Sequence, residues 1–485
     1  MKKHFISNLI LLVTVNLLIK PFWILGVERN IQLTLGYEQY GIYAGLMAFS
    51  FLLVTLLDMG INTYAASTVA KSPLLLKTEF IPLTLFKVFT AVVYIGLTYF
   101  LAKLFNYEGW RIQLLLWIGL NQVLSYFFTF FRSLIGGLQL YKTDSLLSVA
   151  DRSMMVLLCG FLLWGNYTAV TLNLFIGAQT IAYLVAIVSG SLVLIPHLKG
   201  LQFKVFTGQI KHVIKKTLPY ALLSLVMTLY TRLDAVLIKQ LLVDGDVQNG
   251  IYASSYRLLD ACNMMVAMVS MLLLPMFSKM IADKQHPESL VELASAVMIV
   301  PATVIAFGAF FYKQALMKSM FPASSEQAYE VFGWIILSFI PMSMMYIYGT
   351  LLTANANLKT LIKYASIGLV INILLNLILI PSYKALGAAI ATLSTQAFIG
   401  FSNFIAAKKV LNLQFSPYFS KRFFVSIAFI FVCCLMTSIF IKNWVWGVLL
   451  IGTLSIVVTF TSKLLSLGSI AALLPLQADK IKDNQ

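Results

Sequence analysis

The chain has 485 residues, 60% of them hydrophobic and only 11% charged, and Lys plus Arg outnumber Asp plus Glu by 35 to 18. So apolar a composition excludes a water-soluble enzyme and a disordered chain, and reads as a protein dissolved in lipid. The net charge of +17 needs no nucleic acid, because basic loops resting on an anionic leaflet account for it.

A membrane span takes about 20 mostly apolar residues, and about fourteen stretches qualify. In chain order they are 5–25, 40–62, 80–103, 112–135, 145–164, 169–195, 217–242, 250–278, 291–312, 331–354, 361–381, 385–406, 423–441 and 444–465. The fold class is therefore an all-α polytopic membrane protein. With the N-terminus inside, Lys and Arg concentrate in the cytoplasmic ends, from Lys2 and Lys3 through Lys211, Lys215 and Lys216 to Lys480 and Lys482. That asymmetry places both termini in the cytoplasm.

Charges inside the spans are the informative residues, since a cation in hydrocarbon costs about 2.5–3.5 kcal/mol on insertion scales and usually faces a bundle interior or a wet cavity. In the first span Lys20 precedes Pro21, where it either snorkels to the outer surface or lines an interior site. Asp58, toward the inner end of the second span, is either a packing acid beside Asn62 or a coupling-ion site. Lys87 lies two turns into the third. Arg132 and Arg152 lie closer to the cytoplasmic face, where snorkelling or pairing with Asp151 suits them.

The seventh span carries Arg232 roughly 15 Å beyond its start, with Asp234 pointing elsewhere on the helix. In the eighth, Asp260 follows Arg257 at i+3, so the two form either a self-neutralising structural pair or an arginine held ready for substrate. The candidate binding residues are thus Arg232, Arg257, Lys20 and Lys87, supported or coupled by Asp260, Asp234 and Asp58. Asn16, Asn121, Gln122, Tyr230 and Asn263 are candidate polar wall residues.

Cys159, Cys262, Cys433 and Cys434 fall in apolar segments without metal-ligand spacing, and the four histidines fall in loops or span ends. No disulfide framework, metal site, cofactor motif or intramembrane histidine relay is expected. Asp244-Gly245-Asp246 occupies a short outer turn and is discounted as a metal site.

The chain also repeats itself. Gly41-Ile42-Tyr43-Ala44 recurs as Gly250-Ile251-Tyr252-Ala253, and Lys142-Thr143 is echoed by Lys359-Thr360 and Pro82 by Pro301. With six spans per copy, both copies share one topology, and parallel repeats place substrate between two lobes. The 209-residue offset carries Lys20 onto Leu229, one turn from Arg232. The expected organisation is an N-terminal six-helix lobe (1–196), a basic cytoplasmic linker (197–216), a C-terminal six-helix lobe (217–410), and two additional helices with a cytoplasmic tail (411–485).

Several stretches resemble the multidrug/oligosaccharidyl-lipid/polysaccharide (MOP) exporter superfamily, and within it the Wzx-type O-antigen polysaccharide flippases. They are Leu35-Gly36-Tyr37-Glu38-Gln39-Tyr40-Gly41-Ile42-Tyr43 leading to Asp58-Met59-Gly60; Arg232-Leu233-Asp234 followed by Gly250-Ile251-Tyr252 and Arg257; and Asn372, Leu375-Asn376, Leu379-Ile380-Pro381 and Gly387-Ala388-Ala389. Lys384 departs from the family's small residue after the tyrosine. The resemblance implies two pseudo-symmetric six-helix bundles plus two C-terminal helices. It also implies a non-enzymatic transporter of the bacterial inner membrane that moves an undecaprenyl-pyrophosphate-linked oligosaccharide to the periplasmic leaflet. Other expected partners are the bilayer, a coupling ion (H+ or Na+) and a polysaccharide polymerase. The rival readings are a cation-coupled multidrug antiporter of the same superfamily, which should bury acids rather than bases, and a membrane polymerase or glycosyltransferase, which needs a catalytic outer loop.

Overall fold

In hydrocarbon a backbone N–H or C=O has no water to bond, so the apolar stretches of this chain persist as helices that satisfy their own backbone. The computed structural model describes residues 14–72, 74–165, 169–200, 207–462 and 464. Among them are helices and turns and no strand. Twelve helices are long and apolar enough to span a membrane, or thirteen if the bent pair Thr14–Leu52 and Thr55–Ala70 is one span. The chain is an all-α polytopic membrane protein. Lys2, Lys3, His4 and the rest of 5–13 in the first expected span, residues 201–206 of the basic linker, Lys463 and the tail from 465 onward lie outside the described residues.

Helix α1 (Thr14–Leu52) corrects the expected boundaries. Residues 26–39, predicted as an outer loop, are helical on either side of Gly36, where the backbone turns at φ +74°. Phe22–Glu28 forms a π-helix immediately after Lys20 and Pro21. Lys20 therefore lies sixteen residues before the Gly36 turn, roughly 24 Å at 1.5 Å per residue. It sits within the helix rather than near its outer end.

The second expected span is broken. After α2 (Thr55–Asp58) the chain passes through two left-handed residues, Met59 at φ 45° and Gly60 at φ 79°, before α3 (Ile61–Lys71). Glycine carries no Cβ penalty in that region, so Gly60 lets the helix restart within the membrane.

The chain clusters into two compact units that meet in sequence after Ala253. The first contains α1–α3, α4 (Leu75–Leu104), α5 (Gly109–Gly137), α6 (Tyr141–Leu147), α7 (Ala150–Trp164), α8 (Leu172–Leu194), α9 (Thr207–Leu241) and the start of α10 (Gly245–Ala282). Helix α5 packs against α3 and α8, and α9 packs against α1. Ile61, Val69, Leu83, Phe128, Phe130 and Leu134 form one core of this unit.

Both copies of the repeated tetrapeptide fall in this unit and touch. A Cβ on Gly41 would collide with the Asp246 carbonyl, and one on Gly250 with the Tyr37 carbonyl. Each carbonyl lies four residues before the partner glycine, so the crossing is reciprocal. Helices in lipid lack a hydrophobic force to press them together, and small residues let them associate through close backbone packing.

The second unit comprises the remainder of α10 with α11 (Glu288–Phe311), α12 (Lys313–Met320), α13 (Glu326–Leu337), α14 (Phe339–Ala354), α15 (Leu358–Tyr383), α16 (Ala385–Val410), α17 (Pro417–Phe440) and α18 (Trp444–Thr461). Pro82 lies inside α4 and Pro301 inside α11. Lys384, between α15 and α16, adopts φ 55° and ψ −134°, a conformation in which a side chain is strained.

Tyr312, just after α11, fastens the last two helices. Its hydroxyl lies 3.0 Å from the Thr437 carbonyl and 2.9 Å from that of Ile441, and a Cβ on Gly447 would strike its ring. All four cysteines are free.

Candidate functional site

Three basic side chains of the first unit come from three helices and are related through the electrostatic reach of Lys20. Lys20 of α1 lies within electrostatic reach of Asp151, Arg152 and Arg132. Arg132, near the end of α5, donates from Nε to Asp144 Oδ1 at 2.9 Å, the acid being supplied by α6. Arg152, in the first turn of α7, has Nε 3.5 Å from Asp151 Oδ2. That carboxylate also sits favourably at the positive end of its helix. Glu28, Tyr43 and Tyr183 act electrostatically on Arg152. Glu28 is itself buried and accepts from the Tyr40 hydroxyl at 2.9 Å.

This patch carries charges of both signs, with Asp144, Asp151 and Glu28 set among its bases. In this patch both ion pairs engage the guanidinium through Nε, and Arg152 Nη1 also donates to Met155 Sδ at 3.4 Å, while arginine carries five N–H donors in a fork that matches phosphate. The Arg132 and Arg152 side chains remain 24% and 34% exposed. Chemically, the patch can bind an anion. Among the described residues, no three His, Cys, Asp or Glu side chains are placed to hold a metal ion.

The other sequence-predicted residues fall elsewhere. Arg232 of α9 places its guanidinium 5.2 Å from the centre of the Phe51 ring, a cation–π contact at the end of α1. Asp234 is fully buried and accepts from the Tyr252 hydroxyl at 2.8 Å, so it ties α9 to α10. Arg257 and Asp260 form the expected i+3 pair at 3.6 Å, with both side chains about a quarter exposed, at 27% and 22%.

Lys87 is only 1% exposed; its ammonium donates to the Leu57 carbonyl at 2.9 Å and lies 3.7 Å from Asp58. Asp58 in turn accepts from the Asn62 backbone N–H at 3.2 Å. The expected wall residues Asn16, Asn121, Gln122 and Tyr230 are buried in helix contacts, Asn16 on Ser148 and Asn121 on the Ile176 carbonyl.

Arg152 makes the expected pair with Asp151, whereas Arg132 pairs with Asp144 instead, and sequence reasoning passed over Glu28. It also missed a charged cluster at the Gly41–Gly250 crossing. There Arg111 grips Asp246 bidentately at 2.7 and 3.0 Å, and Lys239 adds a bond at 3.1 Å. The Asp244-Gly245-Asp246 segment thus serves the turn rather than a metal. Proximity in sequence signals only the Lys239 bond, seven residues away.

The sequence profile of the family described as polysaccharide biosynthesis protein matches residues 5–281, more than half of the chain. An uncharacterized membrane protein of Methanocaldococcus jannaschii, MJ1375, is 24% identical over 380 residues, covering 74% of this chain and 88% of that one. Solved structures share the fold. The lipid II flippase MurJ in an inward closed conformation superposes with TM-score 0.68 at 15% identity, covering 91% of this chain and 96% of that one. A mutant form of the Vibrio cholerae MATE transporter VcmN gives 0.61 at 13%, covering 85% and 98%. A MOP superfamily transporter from Pyrococcus furiosus, described for a binding pocket of reversed polarity, gives 0.53 at 11%, covering 84% and 94%.

Proposed function

We propose that this chain, which belongs to the polysaccharide biosynthesis protein family, is a flippase carrying undecaprenyl-pyrophosphate-linked polysaccharide repeat units from the cytoplasmic to the periplasmic leaflet by alternating access. Its place is the bacterial inner membrane, with both termini cytoplasmic, and a polysaccharide polymerase receives its product.

The observation that carries this reading is the gathering of Lys20, Arg132 and Arg152 inside one helical unit. Cations at membrane depth are costly and mark substrate pathways. A pyrophosphate offsets that cost through charge-assisted bonds to forked guanidinium donors, while its polyprenyl tail stays in lipid. The fold shared with a lipid II flippase supports a lipid-linked cargo. Arg232, whose guanidinium lies on the Phe51 ring of the same unit, is assigned to this ligand as well.

The test is surface polysaccharide in cells carrying Lys20→Gln or Arg232→Ala, with protein abundance followed by immunoblot. Each variant should lose about tenfold or more of the polymer, the effect of one charge-assisted bond, at unchanged abundance. Wild-type polymer levels in both would remove these cations from the site. One observation favours the antiporter reading, namely the buried acid Glu28 beside Tyr40. Loss of cationic-dye export in Glu28→Gln, with polysaccharide intact, would establish that reading instead.

A further inference from the structure

The break in the second span is built from oxygen. At Met59 and Gly60 the chain turns out of helical geometry, leaving the Leu57 carbonyl at the end of the four-residue turn Thr55–Asp58. In lipid such a carbonyl must find a partner. Asp58 adds a carboxylate at the same point. Thr55 Oγ1 and Asn62 Oδ1, on the two sides of the break, and Thr84 Oγ1, one turn before Lys87 on α4, are buried oxygens with no hydrogen-bond partner. Half-helix ends and unwound carbonyls are where transporters hold monovalent cations, and an all-oxygen donor set suits a hard cation.

Here a side chain enters that environment. The Lys87 ammonium touches the Leu57 carbonyl and faces Asp58. The rings of Tyr126 and Phe130 lie 5.9 and 5.6 Å from it, as around an alkylammonium ligand.

We propose that Lys87 is a tethered cation occupying a monovalent-cation site at the break of the second span, so that the broken helix is neutralised without a bound ion. The assignment is independent of the cargo: it concerns what neutralises the broken helix, whatever the protein moves. It also gives Lys87 a role distinct from substrate binding, consistent with its burial.

The experiment is the melting temperature of the purified full-length protein in detergent, followed by tryptophan fluorescence in choline chloride, sodium chloride or methylammonium chloride. Wild type should melt alike in all three. Lys87→Ala should melt several degrees lower in choline, about 5 °C or more for a domain of this kind, and recover at least half of the loss in sodium or methylammonium by mass action. The double variant Lys87→Ala/Asp58→Asn should lose that recovery, because the carboxylate that attracts the cation is gone.

A Lys87→Ala protein indifferent to small cations would overturn the proposal, as would recovery of equal size in the double variant. If Lys87→Ala does not accumulate, the double variant should accumulate better, since it no longer strands a carboxylate; no improvement counts against the tethered-cation role.

Discussion

Asp246 accepts three N–H bonds from two cations, Arg111 on α5 and Lys239 on α9. The Arg111 and Asp246 side chains are only 13% and 16% exposed, so solvent screens the contact weakly. Asp246→Asn removes the charge and leaves both cations facing an amide, and the expected cost is about 2 kcal/mol, between surface and fully buried pairs. Thermal unfolding should show it as a lowered melting temperature that high salt only partly equalises. A variant that melts with wild type would mean the cluster is cosmetic. At this scale, legibility follows sequence distance. Arg257–Asp260 is readable because helical spacing alone brings the two together, and Arg152–Asp151 because they are neighbours in the chain. Arg132 with Asp144 and Lys87 with Leu57 are not, since each requires knowing how a separate segment folds back.

Among the helices, the reciprocal Gly41–Gly250 crossing is the element-level device with the sharpest consequence. The carbonyls of Asp246 and Tyr37 occupy the space that a methyl group would need. Gly41→Ala and Gly250→Ala should each cost about 1–3 kcal/mol by forcing the backbones apart. Gly452→Ala, with nothing near its Cβ, is the matched control and should be silent. Equal melting temperatures across the three variants would argue that the crossing is loose. The repeated tetrapeptide signals in sequence that two spans pack closely, but not that they pack on each other. Helix ends were the weaker reading, because hydropathy marks apolar runs and not backbone turns. The polar run 26–39 is helical up to Gly36, and the second span breaks at Met59–Gly60 inside an apolar stretch. Both differences matter for the site: the first moves Lys20 inward, and the second creates the environment that Lys87 fills.

For the molecule as a whole, charge and topology bear on energetics. In a cell negative inside, outward movement of an anion is favoured by about 2.3 kcal/mol per charge per 100 mV. For the flippase proposed above, inward return of the unloaded cationic side chains is favoured by the same field. Transport in proteoliposomes should therefore accelerate when a potential of that sign is imposed at constant ion gradients. A rate unchanged on collapsing the voltage would rule out this drive and point to an obligatory coupling ion.

The amino-acid sequence determined the class of molecule, because the cost of unbonded backbone in lipid leaves long apolar runs no alternative to helix. It also marked out the buried cations, since charge at membrane depth is scarce enough to be seen without coordinates. Only the tertiary structure decided what each cation faces: Lys20 a mixed patch with Arg132 and Arg152, Arg232 a phenylalanine ring, Lys87 the Leu57 carbonyl. The reason is physical. Depth in the membrane is a property of one helix and its length, whereas a partner is chosen by helices that meet from distant parts of the chain.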